Sequence, residues 1–179
     1  MTTSAISSLK DKIKISTMRM ALLTMATGGV YPLLWLYRNQ NIIMEETQNR
    51  FSSDTFVIWF AVCFGFVCNL RSYIHPTINE YTYEYSYSGV AAAASLLVLG
   101  FGLALCVLYV VWSFKAKSAL QQYALTQFRF ELRMNAFYTM FFNVYYINYC
   151  INTMPEALAK HQIIHQSLHV SSEQPNDNE

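Results

Sequence analysis

Tyr85 to Phe114 is a run of thirty consecutive residues without a charge, and nothing else in the chain limits its fold as strongly. At ~1.5 Å per residue, the apolar part from Gly89 to Phe114 crosses a ~30 Å hydrocarbon core as one helix. Lys115 and Lys117 follow at once, while Tyr81, Tyr83, Tyr85 and Tyr87 lead into it. Aromatics at one end and cations at the other are the anchors of a spanning helix. The expected solvent is therefore a bilayer. Composition agrees, because 13% charged residues is about half the ~25% usual in soluble domains. A net charge of +1 argues for neither nucleic acid nor an acidic ligand.

Three further apolar runs flank this one. Met20 to Tyr37 holds eighteen uncharged residues between Arg19 and Arg38, interrupted by Gly28, Gly29 and Pro32. Membrane helices tolerate such breakers where neighbours satisfy the freed backbone groups. After Pro32 the pattern continues as a helix into polar 39–50. Thr55 to Leu70 is sixteen residues, short for a crossing, but Arg71 can snorkel at its end. Met134 to Pro155 lacks charge yet contains Asn135, Asn143, Asn148 and Asn152. Unpaired amides are costly in hydrocarbon, so this run suits the interface or a protein-lined groove. The chain thus divides into a polar basic N-terminus (1–18), a membrane domain (19–155, with runs 20–37, 55–70, 85–114 and 134–155) and a polar tail (156–179). Ser171 to Glu179 reads as disordered.

Near the N-terminus, Ile6, Leu9 and Ile13 share one side of a helix that also bears Lys10, Lys12 and Lys14. This fits a basic amphipathic helix lying on an anionic leaflet. It does not read as a cleavable signal peptide, for no small-residue site follows the apolar run. Tyr81 to Tyr87 alternates as a strand would, but an interfacial belt is preferred, since a lone edge strand leaves backbone unpaired. Lys115 to Arg133 suggests a helix continuing out of the third run along the interface. Cys63, Cys68, Cys106 and Cys150 lie in apolar segments without C-x-x-C spacing and read as buried fillers.

Small residues mark candidate packing faces. Ala61 and Gly65 are one helical turn apart, and Gly89, Ala93, Gly100 and Ala104 fall within about 60° on a helix. Such faces let backbones approach and pack by dispersion. The expectation is a hairpin of the second and third runs closed by these faces, with homo-oligomerisation as the other use of the stripe.

Charge distribution then selects a topology. If all four runs cross, the 12 cations divide evenly between the two sides; if only the second and third cross, all but Arg71 lie on one side. The positive-inside rule favours the second arrangement. The expected fold is an all-α integral membrane protein: a helical hairpin of two spanning helices plus two half-inserted or interfacial segments, both termini cytoplasmic. A four-helix transmembrane bundle is the alternative.

Gly29, Tyr31, Trp35, Tyr37, Arg38 and Asn39 follow the order Gly-x-Tyr-x-x-x-Trp-x-Tyr-Lys/Arg-Asn. This resembles a box in a family of small bacterial inner-membrane proteins of unknown function, whose members also tend to close on a Tyr-rich stretch ending in Ile-Asn. Tyr145 to Asn152 looks like that stretch. The resemblance covers about a third of the chain and implies a bacterial inner-membrane location but no activity.

Two constellations remain. Tyr31, Trp35, Tyr37, Arg38 and Asn39 form a candidate lipid-headgroup site, with guanidinium for charge, amide for hydrogen bonds and aromatic rings as interfacial anchors; a plain snorkelling anchor is the simpler reading. His161, His165 and His169 fall within about 80° on a helix, where imidazoles one turn apart can share a metal and three can supply an open zinc site. They lack the acidic partner of an H-E-x-x-H pattern, so no metal and no cofactor is assigned. No catalytic group is assigned either. The expected function is non-enzymatic: a scaffold, complex subunit or immunity-type partner working through helix contacts with the bilayer and with a protein or a second copy. A homo-oligomeric pore or small transporter, lined by the amides of the last run, is the alternative.

Overall fold

The computed structural model describes the backbone of residues 9–75, 77–78, 85–86 and 89–172 and the side chains of 9–75 and 89–164. Residues 9–13 form a helical turn that ends at Lys14, whose φ of 49° turns the chain. Helix α1 (Thr17–Ala26) follows, its N-terminus capped by Ser16, whose Oγ accepts from the Arg19 amide at 3.4 Å. It stops at Gly28 and Gly29, with φ of 58° and 94°, a left-handed turn that glycine adopts without strain. Pro32 sits in the first turn of α2 (Tyr31–Thr47), where its missing N–H is harmless, and Gln48 closes that helix in the left-handed conformation. The break and the restart fall where the Gly-Gly and Pro signals put them.

Helices α3 (Asp54–Arg71) and α4 (Gly89–Phe128) extend the second and third apolar runs. Between them, β1 (Thr77–Ile78) pairs antiparallel with β2 (Tyr85–Ser86), Ile78 opposite Tyr85. Tyr85 therefore lies in a paired strand, which removes the objection of an unpaired edge; Tyr81, Tyr83 and Tyr87 lie outside the described residues. Helix α4 does not stop at Lys115 but runs unbroken to Phe128. Helix α5 (Ala136–Ser172) is kinked at Asn143, which has φ 42° and ψ −119°, and carries Pro155 within it. Ser171 and Ser172 are still helical, so the tail begins as a continuation of α5; 173–179 lie outside the described residues.

Helices α3 and α4 lie antiparallel. Lys115 sits over the Phe56 ring at 6.0 Å, Phe60 packs on Tyr109 at 4.5 Å, and Phe66 stacks on Phe101 at 4.8 Å. Val57, Phe60, Cys63, Ala91 and Ala94 are buried along this pair. The hairpin is therefore not closed by the small-residue faces. Ala61, Gly65, Gly89, Ala93, Gly100 and Ala104 are all exposed, and a Cβ added at Gly65, Gly89 or Gly100 would meet nothing within 4 Å. Large aromatic side chains hold the two helices together, and this spacing leaves the small residues on the outer surface.

Below the aromatic pairs lies the core. Trp112, Ala116, Leu120 and Ala124 of α4 join Trp35, Leu36 and Ile43 of α2 and Ile147, Ile151 and Met154 of α5. Leu9 and Ile13 belong to the same core, at 1% and 6% exposure. The apolar side of the N-terminal segment is thus covered by protein rather than by a leaflet, while Lys12 and Lys14 point outward. By contrast, only 17% of the apolar window of α3 and 6% of that of α4 is buried. Ile58, Trp59, Leu96, Leu99, Leu103 and Val107 are each more than half exposed. Left in water, each such side chain would forgo about 1.5–3 kcal/mol of burial. Both helices are long and apolar enough to span a membrane.

Candidate functional site

The polar features converge on the end of the hairpin where α3 begins and the apolar part of α4 ends. Loop 48–53, which joins α2 to α3, is fastened there from both sides. Ser52 Oγ donates to Gln40 Oε1 at 3.2 Å, and Gln40 Nε2 donates to Asp54 Oδ1 at 3.4 Å. Gln40 is 1% exposed, so its amide needs these partners. Across the loop, Asn49 Nδ2 donates to Gln122 Oε1 of α4 at 3.3 Å. Phe51 meets Trp112 edge-on at 5.9 Å, and Trp112 meets Trp35 edge-on at 6.3 Å.

Two cavities adjoin this loop and share Arg50, Ser52 and Ser53 as common wall. The larger, about 680 Å³, is walled besides by Asn41, Met44 and Gln48 and by two carboxylates, Glu45 and Asp54. The smaller, about 260 Å³, is walled by Arg50, Phe51, Ser52, Ser53, Phe56, Trp112 and Lys115, with no carboxylate. Arg50, Phe51 and Lys115 continue into a third opening with Asn49, Phe114 and Ser118.

The box that carries the family resemblance is split across two faces of α2. Tyr37 and Arg38 point outward, while Trp35 and Asn39 are 2% and 4% exposed. Asn39 Nδ2 donates to the Trp35 carbonyl at 2.8 Å, so its amide is engaged inside the helix. Tyr31 is half-buried and its amide is held by Thr27 Oγ1 at 3.0 Å. A ligand on Arg38 would meet Tyr37 but not Trp35 or Asn39.

The amides of the last run close a groove. Asn148, fully buried, donates to the Ile15 carbonyl and to Thr17 Oγ1, each at 3.2 Å. Asn152 donates to the same carbonyl at 3.0 Å. Ile15 lies in the break after Lys14, where its carbonyl is free of helix bonding. Tyr145 Oη donates to Thr24 Oγ1 of α1 at 2.8 Å. Asn135 caps α5 by accepting from the Phe137 amide at 2.8 Å. With its amide nitrogen turned to the preceding turn, Asn143 donates to the Thr139 and Met140 carbonyls at 3.2 and 3.0 Å, holding the kink. Outside the groove, Lys12 pairs with Glu46. Their hydrogen bond, and then their charge attraction, raises the Lys12 pKa above its ordinary 10.5.

His161 faces Phe130 with ring centroids 5.9 Å apart. His165 and His169 lie outside the residues whose side chains are described, and among the described residues no three His, Cys, Asp or Glu side chains gather.

Comparison with protein-family models, with curated proteins and with solved structures returned no match.

Sequence reasoning missed the Arg50–Trp112–Lys115 cluster and the partners of Asn148. Both join residues far apart in the chain. The available signal was negative: amides in an uncharged run need acceptors, and that demand points to a neighbouring backbone without naming it.

Proposed function

We propose that this is a non-enzymatic protein of a bacterial inner membrane, working through contacts between its helices and those of a partner or a second copy. In this reading α3 and the apolar part of α4 cross the bilayer. The segment comprising α1 and the start of α2, and the first part of α5, enter only part-way, and both termini are cytoplasmic. A scaffold, a subunit of a larger assembly and an immunity-type partner all fit it. The observation that carries the reading is the outer surface of α3 and α4, apolar along its length and marked by Ala61, Gly65, Gly89, Ala93, Gly100 and Ala104. Large apolar groups there suit lipid, and small ones admit another backbone. The distribution of cations, with Arg71 alone beyond the hairpin, supports the orientation.

The pore reading has less support. A polar path lined by the last run needs free amides, and Asn148 and Asn152 are engaged with Ile15. Ion flux through liposomes at high protein loading distinguishes the two, and tight vesicles exclude the pore.

Topology is the direct test. Single cysteines at Ser7, Thr47, Thr77, Thr126 and Ser172, in a background lacking the four native ones, are exposed to an impermeant thiol reagent from the periplasmic side. Labelling at Thr77 alone is expected. Labelling at Thr47 and Thr126, or at Ser7, Thr77 and Ser172, would establish four crossings and overturn it.

A further inference from the structure

We propose that the cavity between Arg50, Ser52, Ser53, Phe56, Trp112 and Lys115 binds a phosphate group. The proposal rests on the membrane reading only for the carrier of that phosphate, an anionic phospholipid headgroup. Four observations meet at this cavity. Two cations stand at its wall and no carboxylate does, whereas Asp54 accepts from Gln40 at 3.4 Å on the side of the acidic cavity. Lys115 lies over the Phe56 ring at 6.0 Å, which holds its ammonium against an aromatic surface.

The second observation is an unmet demand. Trp112 is 0% exposed, lines the cavity, and among the described residues its Nε1–H has no hydrogen-bond acceptor. A buried donor without an acceptor is costly, and an oxygen in the cavity would supply one. Third, α3 begins here. Ser53 occupies its N-cap position in extended conformation and makes no side-chain cap, while Asp54, the acid of the first turn, accepts from Gln40 at 3.4 Å.

The fourth observation is depth. Lys115 follows the last apolar residue of the long uncharged run, and Asp54 precedes the first residue of the short one. With α3 and α4 antiparallel, both boundaries fall at one level, where a bilayer places its phosphates. Phe56 and Phe114 then lie on the acyl side of that level, and Arg50 and Lys115 at it or on the aqueous side. Loop 48–53 is already held by Gln40 and Gln122 on either side of Arg50, which fixes where the backbone of Arg50 enters the cavity wall.

The test uses the purified full chain in two arms. In zwitterionic nanodiscs containing a minor fraction of phosphatidylglycerol, retained lipid is counted by native mass spectrometry. In zwitterionic detergent, inorganic phosphate is titrated with tryptophan fluorescence as the readout. Wild type is expected to retain phosphatidylglycerol. Arg50→Gln with Lys115→Gln is expected to weaken retention about tenfold, and Trp112→Phe severalfold. Arg133→Gln with Lys160→Gln removes the same charge elsewhere and is expected to change nothing. Circular dichroism verifies that each variant is folded. Saturable phosphate binding without lipid enrichment sustains the site and assigns it to free anion, whereas failure to reconstitute strikes at the membrane reading alone. No preference in either arm, or equal loss in the control pair, overturns the proposal.

Discussion

The side-chain amide of Asn148 reaches 133 residues back along the chain and donates to the carbonyl of Ile15 at 3.2 Å. Asn152 donates to the same oxygen at 3.0 Å. A carbonyl released by the break after Lys14 thereby regains two donors, and the N-terminal segment is tied to α5. Leu9 and Ile13 can then remain in the core.

Removing both amides should release that tie. Asn148→Leu with Asn152→Leu leaves the Ile15 carbonyl without these donors, at a cost of about 1–3 kcal/mol. The expected result is a lower midpoint in thermal unfolding in detergent and faster tryptic cleavage at Lys10, Lys12 and Lys14 than elsewhere. Unchanged cleavage at these lysines would show that the clamp does not hold the segment.

Phe60 and Phe66 provide a graded test of what closes the hairpin. Phe60 is fully buried between Phe56 and Tyr109, whereas Phe66 is 49% exposed and rests on Phe101. Phe60→Ala is expected to cost about 3 kcal/mol and Phe66→Ala clearly less. Unfolding in mixed micelles measures both. Equal costs would mean that the aromatic column does not carry the pairing as described.

The outer glycines should behave oppositely. A Cβ at Gly65 or Gly100 meets nothing within 4 Å, so Gly65→Ala with Gly100→Ala should stabilise the monomer by up to about 1 kcal/mol per site through helix propensity. If the proposed contact is with a second copy through this face, Gly100→Leu leaves the monomer folded and weakens association tenfold or more, read by energy transfer between labelled copies in vesicles. Association that survives Gly100→Leu would place the partner surface elsewhere.

The Lys12–Glu46 pair gives a pH dependence with a definite sign. The folded state raises the Lys12 pKa above 10.5 through its hydrogen bond to Glu46. Its contribution is therefore complete below pH 10.5 and is lost as pH rises through the higher folded value. Lys12→Met should flatten the alkaline limb of a stability profile above about pH 10. A wild-type limb that already matches the variant would exclude the linkage.

How far the sequence disclosed this architecture varies by residue. The uncharged run Thr55 to Leu70 locates α3 (Asp54–Arg71) almost to the residue, and Gly28 and Gly29 mark the break before α2. Both are local signals. Periodicity also grouped Gly89, Ala93, Gly100 and Ala104 on one face, but not which way that face turns. The answer depended on Phe60, Phe66, Phe101 and Tyr109, whose volumes fill the space between the helices. Asn39 and Arg38 show the same limit. Adjacent in sequence, they lie about 100° apart around α2, so one enters the core and the other leaves it. The cavity proposed to bind phosphate was illegible because its parts come from loop 48–53, from α3 and from α4, joined only by folding.

Helix α4 passes from Gly89 to Phe128 as one unbroken helix. At ~1.5 Å per residue, the thirteen residues beyond Lys115 form an arm of about 20 Å. A tilt of about 10°, the kind of adjustment a helix makes to bilayer thickness, would swing Phe128 by about 3 Å relative to Lys115. The core built on Ala116, Leu120 and Ala124 rides on that lever, so in the membrane reading proposed above, stretching or thinning of the lipid would be felt by everything packed around the arm.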